Sequence, residues 1–335
     1  MLNIIKKINK ARFHKELMSF KKTEDAGKIT HIQLEPTAKC NLACITCTRP
    51  SELKEYKKLD MTLLELDKLL SSLPDLKTVK LGGLGEPLYH PELKNFLIKL
   101  RERKLRVWLN TNGTPLTNPE IRNNVLEYVN DIAVSFDSTN KETFEKIRIH
   151  ADMDKIKAGT KLLIQERNER KAKTLIGVNF VVSHMNYEEV GDKLFNFIRD
   201  LGVDYLTLTE VENWAVEDEK GYLGSQKFVS ITRILRPDII KRIKKLRRRL
   251  MWHGVVVGHK TSKPRVGNCY WPFNGFFVNN EGFVTSCNIR MHKRYSFGNL
   301  FETPVNEILN SEKYRDFRKS HIDGKSNKIC GNCPD

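Results

Sequence analysis

The sequence predicts an α/β fold built on a parallel sheet, followed by a smaller cysteine-bearing module. Strand-like and helix-like apolar periodicities alternate six times between residues 31 and 208, as parallel strands joined by crossover helices do. Glycines and short polar residues collect just after these strands, where β/α sheets bind their ligands. The seven cysteines fall into two distant groups: Cys40, Cys44 and Cys47, then Cys269, Cys287, Cys330 and Cys333.

The chain has 335 residues, enough for one large α/β domain and an appendage. Its 58 Lys+Arg against 41 Asp+Glu give a net charge of +17, which favours polyanions or acidic substrates without bearing on the fold. No apolar run reaches transmembrane length. The basic start, residues 1–22, lacks the long apolar stretch of a signal peptide. An odd number of cysteines fits a disulfide framework poorly. The expectation is a reducing, cytoplasmic setting and no membrane partner.

Residues 1–28, with Ile4, Ile5, Ile8 and Phe13 at loosely helical spacing, read as a short helical extension. The main domain spans 29–210. Residues 31–35 alternate as a strand that delivers the first cysteines, and 61–73 have helical spacing. Residues 78–81 form a strand running into a glycine-rich turn. Leu93, Phe96, Leu97 and Leu100 stand at i, i+3, i+4, i+7, one buried helix face. A strand at 106–110 and a helix at 119–128 follow, then a strand at 132–136 and helices at 141–150 and 154–166. Val178, Phe180 and Val182 alternate in a strand at 175–182. Val190, Leu194, Phe197, Ile198 and Leu201 mark a helix, and 205–208 is the sixth strand.

A connecting region, 211–266, holds an acidic loop at 213–226 and an amphipathic helix. In that helix Ile239, Ile243, Leu246 and Leu250 line one face, and Lys241, Arg242, Lys244, Lys245, Arg247, Arg248 and Arg249 line the other. Residues 254–258 read as a short strand. The module 267–335 contains a hairpin over 276–285 turning at Asn280-Glu281-Gly282, then Phe297-Gly298-Asn299-Leu300, then a helix over 305–319.

The chemistry lies in the motifs. Cys40-Asn41-Leu42-Ala43-Cys44-Ile45-Thr46-Cys47 brings three soft thiols into one loop. Such thiols suit an iron–sulfur cluster or zinc, and three unligated thiols remain the plain alternative. A cube has four corners, so three cysteines leave one iron open. Gly82-Gly83-Leu84-Gly85-Glu86-Pro87 follows the second strand. Thr111-Asn112-Gly113 and Ser135-Phe136-Asp137 end the third and fourth, where short polar residues also suit helix caps. Arg148 suits a carboxylate ligand or an ordinary surface position. The last four cysteines can saturate one zinc or one iron–sulfur cube.

Taken together, these motifs resemble the radical S-adenosylmethionine (SAM) superfamily with a C-terminal twitch module, the short form of the SPASM domain. The resemblance implies a partial, open (β/α)6 barrel, six units being too few for a closed eightfold barrel. It implies a [4Fe–4S] cluster on Cys40, Cys44 and Cys47 whose open iron chelates SAM. The turn resembles the family's Gly-Gly-x-Gly-Glu-Pro motif, with the backbone of Gly82, Gly83 and Gly85 at the SAM amino group and Glu86 shaping the pocket. Asn112, Ser135 and Asp137 would lie along the SAM ribose and carboxylate, with Arg148 at the carboxylate. Thr46 departs from the aromatic or bulky apolar residue the family often packs on the adenine. Cys269, Cys287, Cys330 and Cys333 would hold one auxiliary [4Fe–4S] cluster.

The implied activity is reductive cleavage of SAM, hydrogen abstraction by the 5′-deoxyadenosyl radical, and oxidation of the substrate radical through the auxiliary cluster. Aminocyclitol alcohol dehydrogenases work in this way. Modification of a peptide or protein is the alternative within enzymes. A zinc-stabilised nucleic-acid-binding protein, supported by the basic helix, is the alternative of another class. Implied partners are an electron donor such as flavodoxin or ferredoxin and an anionic substrate; nucleic acid is less favoured. Substrate contacts come from the barrel interior and from 209–266, and the sequence does not identify them.

Overall fold

The computed structural model describes residues 22–210, 236–260, 269–287, 291, 293–325 and 329–330. Ile4, Ile5, Ile8, Phe13, the 213–226 loop and Cys333 lie outside the described residues.

Among the described residues ten strands form one open sheet: β1 (His31–Leu34), β2 (Thr78–Leu81), β3 (Arg106–Thr111), β4 (Asp131–Ser135), β5 (Leu175–Val182), β6 (Tyr205–Glu210), β7 (Val256–Lys260), β8 (Gly275–Val278), β9 (Phe283–Thr285) and β10 (Gly298–Asn299). The order is β10-β9-β8-β1-β2-β3-β4-β5-β6-β7. From β8 to β7 every pairing is parallel, and β9 and β10 add antiparallel at the other edge. The six expected β/α units are present. The short strand anticipated at 254–258 becomes β7, a seventh parallel strand paired with β6.

The helices are α1 (Arg49–Glu52), α2 (Leu63–Ser72), α3 (Leu93–Glu102), α4 (Pro119–Tyr128), α5 (Lys141–Ile147), α6 (Met153–Glu169), α7 (Asp192–Leu201), α8 (Arg236–Trp252), α9 (Trp271–Asn274), α10 (Val305–Leu309) and α11 (Glu312–Ile322). Local chemistry starts several of them. Thr62 and Glu65 form a capping box on α2, while Asn118, Asn140 and Asp152 accept backbone N–H groups at the starts of α4, α5 and α6. On α3, Leu93, Phe96, Leu97 and Leu100 are all buried, each contributing roughly 1.5–3 kcal/mol by leaving water. The single helix expected at 305–319 is two helices. Ser311 breaks it, because its side chain accepts the Tyr314 N–H and begins a new helix instead of continuing the old one.

Strand parity sorts the side chains into two faces. Ile32, Leu34, Val79, Leu81, Val107, Leu109, Ile132, Val134, Ile176, Val178, Leu206 and Leu208 join the main core beneath the helices. The alternate residues form the inner face. There Ala133, Leu175 and Tyr205 make a small apolar floor with Val256. Tyr205 lies across Gly177, where a Cβ would sit 2.3 Å from its ring, and its hydroxyl donates to Asp131.

The C-terminal module is built into this sheet. Strand β8 runs in register with β1, from His31 opposite Gly275 to Leu34 opposite Val278. The Glu35 N–H extends the ladder to Val278 O at 3.0 Å.

Candidate functional site

The cysteine loop leaves β1 and is held along its length. Ala38 N donates to Leu59 O at 2.7 Å, and Glu86 N donates to Lys39 O at 2.7 Å. Farther on, Ala43 N and Ile45 N donate to Ile149 O at 3.1 Å and Ile147 O at 3.0 Å, docking the loop on the end of α5. Cys40, Cys44 and Cys47 are all free thiols and partly buried. Burial pushes the three thiols up, Cys47 to about 12, and Cys44 and Cys40 each raise it further by like charge. The three sulfurs therefore sense one another in a setting that disfavours thiolate unless a cation is present. Leu42 N and Arg49 N point at the sulfurs of Cys40 and Cys47, at 3.5 and 3.4 Å. Three thiols within electrostatic reach of one another, with N–H donors already aimed at two of them, fit an iron–sulfur cluster. Among the described residues no three His, Cys, Asp or Glu side chains meet closely enough for one bare ion, so the fit rests on donor type and placement.

The glycine turn after β2 packs against the base of this loop. A Cβ on Gly83 would lie 2.4 Å from Glu35 Oε1, and one on Gly85 would lie 2.1 Å from Thr37 O. Both glycines are needed so that this turn and the chain entering the cysteine loop can touch. Gly82 has φ +154 and its carbonyl accepts Gln33 Nε2 at 3.0 Å. Glu86 is buried and spans two strand ends. It accepts Thr111 Oγ1 at 2.8 Å, Asn112 N at 2.6 Å and Leu88 N at 3.2 Å. Asn112 in turn reaches Asn41 Oδ1 at 2.9 Å and Cys40 Sγ at 3.7 Å. Thus Gly82, Gly83, Gly85, Glu86, Asn112 and Cys40 form one contiguous group.

A second group surrounds Cys44. Arg148, a possible surface residue from sequence, is buried with Asp137, and its Nε donates to Asp137 Oδ2 at 2.8 Å. Burial opposes the Arg148 charge, but Asp137 and the nearby Cys44 outweigh it, and the net shift is upward. Ser135 ends β4 on the inner face, opposite Asn179 of β5.

Sequence reading missed several polar residues nearby. Glu35 is fully buried and accepts Tyr56 O–H at 3.0 Å and the Leu84 N–H. Glu189 accepts Ser138 Oγ at 2.6 Å and Thr139 Oγ1 at 2.7 Å. On the inner face Lys80, Trp108, Asn110, Asn179, Thr207 and Thr209 are half-buried, and Thr209 Oγ1 donates to Asn179 Oδ1 at 3.3 Å. Period-two alternation was the available signal, because each occupies the face opposite the core residues of its strand.

In the C-terminal module Cys269 and Cys287 are partly buried and Cys330 is buried. Tyr314 of α11 is fully buried, and desolvation pushes its hydroxyl well up, with Cys287 and Cys269 contributing in the same direction. That places both cysteines near α11. Cys330 lies 3.4 Å from His321 Nε2 on the same helix. The hairpin turn touches the segment after the first cysteine loop. Glu281 Oε1 accepts Lys57 N at 2.7 Å, Asn280 Nδ2 donates to Lys58 O at 2.9 Å, and Lys293 pairs with Glu281.

Comparison with known proteins agrees with this arrangement. The family model of the radical SAM superfamily matches residues 34–192, and that of SPASM, an iron–sulfur cluster-binding domain, matches 269–334. The tungsten-containing aldehyde ferredoxin oxidoreductase cofactor-modifying protein of Pyrococcus furiosus is 28% identical over 186 residues, 54% of this chain and 51% of its own length. The chain thus spans about half of that relative. The AdoMet-dependent heme synthase of Methanosarcina barkeri is 25% identical over 333 residues, 90% of either chain. Among solved structures, SuiB of Streptococcus suis bound to S-adenosylmethionine has a TM-score of 0.68 at 14% identity, covering 87% of this chain and 68% of its own. The anSMEcpe structure with bound AdoMet gives 0.62 at 17% identity, covering 91% and 83%. These structural likenesses show the fold.

Proposed function

The chain belongs to the radical SAM superfamily, and from that membership we propose that it is an oxidoreductase acting on a hydroxyl-rich, carbohydrate- or cyclitol-like substrate. SAM and [4Fe–4S] clusters are its cofactors, and a reductant is required. Cys40, Cys44 and Cys47 would hold the SAM-binding cluster, and Cys269, Cys287, Cys330 and Cys333 the auxiliary one. When bound, these groups supply the electron that cleaves SAM to a 5′-deoxyadenosyl radical and the site that takes an electron back from the substrate.

The chain's own residues supply position. The observation that carries the reading is the ladder between β1 and β8, which fixes the module with the second cysteine group directly beside the strand feeding the first. An electron acceptor needs that fixed proximity; a loosely tethered structural lid does not. The inner face supports the substrate class. Asn110, Asn179, Thr207 and Thr209 offer hydrogen-bonding groups suited to hydroxyls, and Trp108 offers a ring face. Lys80 on the same face suits an anionic group on the substrate. Glu86 and Asn112 would brace the SAM pocket, and Arg148, paired with Asp137, would hold the positive charge facing the SAM carboxylate. A flavodoxin or ferredoxin is the electron donor of this reading.

Modification of a peptide is the second reading, favoured by the likeness to SuiB, whose structure with precursor peptide SuiA has a TM-score of 0.68. The zinc-stabilised nucleic-acid-binding alternative, a barrel that has lost the chemistry, calls for zinc in the purified protein, whereas the enzyme reading calls for iron.

The test is anaerobic turnover with SAM, reductant and candidate polyols or peptides, comparing wild type with Cys330→Ala/Cys333→Ala. The variant should still form 5′-deoxyadenosine but no oxidised product. Wild-type product yield from a variant shown to lack the auxiliary cluster refutes the acceptor role.

A further inference from the structure

His321 lies on α11, on the face that carries buried Tyr314, Phe317 and Arg318, and is itself only 1% exposed. Its ring packs edge-on against Phe317 with centroids 5.0 Å apart. Nε2 reaches Cys330 Sγ at 3.4 Å, whereas Nδ1 is buried without a hydrogen-bond partner among the described residues. The ring is therefore oriented by its packing and by the sulfur. A distance of 3.4 Å is that of an N–H···S hydrogen bond. Two ligands on different corners of a cube stand farther apart, so the contact marks a donor to a ligand, not a further ligand. A ligated thiolate has no proton to give, so against it Nε2 is the donor, protonated in the Nε2–H tautomer and in the imidazolium alike.

Resting on the reading of Cys330 as a ligand of the auxiliary cluster, we propose that His321 is a positioning residue for that cluster, donating Nε2–H to the Cys330 thiolate and raising the cluster's reduction potential. A hydrogen bond to a ligand sulfur withdraws electron density and stabilises the reduced, more negative cluster. A cluster that must accept an electron from substrate is made a better acceptor by such a donor.

The test uses a chain with Cys40, Cys44 and Cys47 replaced by Ala, so that only the auxiliary cluster remains. Its midpoint is measured by redox titration followed by electron paramagnetic resonance, with His321 intact, as His321→Phe and as His321→Gln. The Phe variant keeps the ring packing and should retain about four irons per chain with a more negative midpoint. The Gln variant, whose amide N–H can reach the sulfur, should return the midpoint toward that of the parent. An unmoved midpoint in the iron-loaded Phe variant overturns the inference alone. Loss of iron in the Phe variant overturns it in favour of direct ligation. Zinc in place of iron in the parent overturns the cluster reading and this inference together, and metal analysis tells that outcome from the others.

Discussion

Arg148 and Asp137 form a buried ion pair, Nε to Oδ2 at 2.8 Å, and the residues flanking Arg148 hold the first cysteine loop. Ile147 O and Ile149 O accept the N–H groups of Ile45 and Ala43, while Asp137 Oδ1 accepts Val181 N at 3.1 Å. The pair thus ties the loop, the end of α5 and the strand ends of β4 and β5 together. Replacing Arg148 by Met leaves a buried carboxylate unpaired, which costs about 3–5 kcal/mol. The urea midpoint should fall accordingly, and iron bound at the three-cysteine site should fall with it. An Arg148→Met protein of wild-type stability and iron content would show that the clamp is not needed.

Gly85→Ala tests the packing of the glycine turn. The new Cβ would meet Thr37 O at 2.1 Å and Ala38 backbone atoms at 2.8 Å, neither of which is a flexible side-chain end. The chain entering the cysteine loop must shift. Reconstituted wild type should hold about eight irons and eight sulfides, two cubes' worth. Gly85→Ala should hold about four, with the auxiliary site intact. Full iron loading sinks the idea.

Glu86 predicts a pH dependence. Burial lifts its carboxyl from 4.5 to about 7 despite hydrogen bonds from Asn112, Thr111 and Leu88 that favour the charged form. Between those values the folded protein holds a proton that the unfolded chain releases. Stability from this group is therefore present below pH 4.5 and lost as pH rises to about 7, by about 3 kcal/mol in all. Glu86→Gln stays neutral throughout. In urea unfolding of cluster-free protein, the wild-type minus variant difference should slope downward over that window, and a flat difference would contradict the assignment.

What the sequence made legible followed from local rules. Leu93, Phe96, Leu97 and Leu100 declared α3 by spacing, and all four are buried. Cys40, Cys44 and Cys47 marked the candidate site by residue type. The rest depends on contacts across long stretches of chain. Nothing near Phe276 says that its strand pairs with Ile32, yet that pairing joins the two cysteine groups in one sheet. Arg148 reads as one more basic residue until Asp137 is placed against it. Lys80 and Asn179 look like surface positions, because an inward polar face and an outward one share the same alternation. Ser311 was legible in principle: a serine before Glu312 is a start signal inside what read as one helix.

The basic helix predicts an anionic partner. α8 buries Ile239, Ile243, Leu246 and Leu250 and leaves Lys241, Lys244, Lys245, Arg247 and Arg248 exposed. Arg249 is drawn back to Asp192 and over the Phe195 ring at 3.9 Å. Reversing Lys241, Lys244, Lys245 and Arg248 to Glu should leave the melting temperature close to wild type and lower the salt needed for elution from heparin. Elution at unchanged salt would leave the helix a solvated face.

His31 predicts acid sensitivity at the joint between β1 and β8. It is buried against Tyr270 and Trp271, with centroids 5.1 and 5.0 Å away, and a Cβ on Gly275 would lie 2.1 Å from its Nε2. Neither ring nitrogen has a hydrogen-bond partner among the described residues. Burial lowers its pKa from 6.5 to about 3. The unfolded chain therefore takes up a proton that the folded state refuses, and stability is lost as pH falls below 6.5 toward 3. At pH 5 the loss is about 2 kcal/mol. This runs opposite to Glu86, so wild type alone will show a partly cancelled profile and the single variants are needed to separate the two. His31→Phe keeps a ring between Tyr270 and Trp271 and removes the titrating group. Its urea midpoint should match or exceed wild type at pH 7.5, and the gap in its favour should widen at pH 5. Equal loss in both proteins between those pH values would show that His31 finds a proton-accepting partner in solution and that the acid sensitivity lies elsewhere.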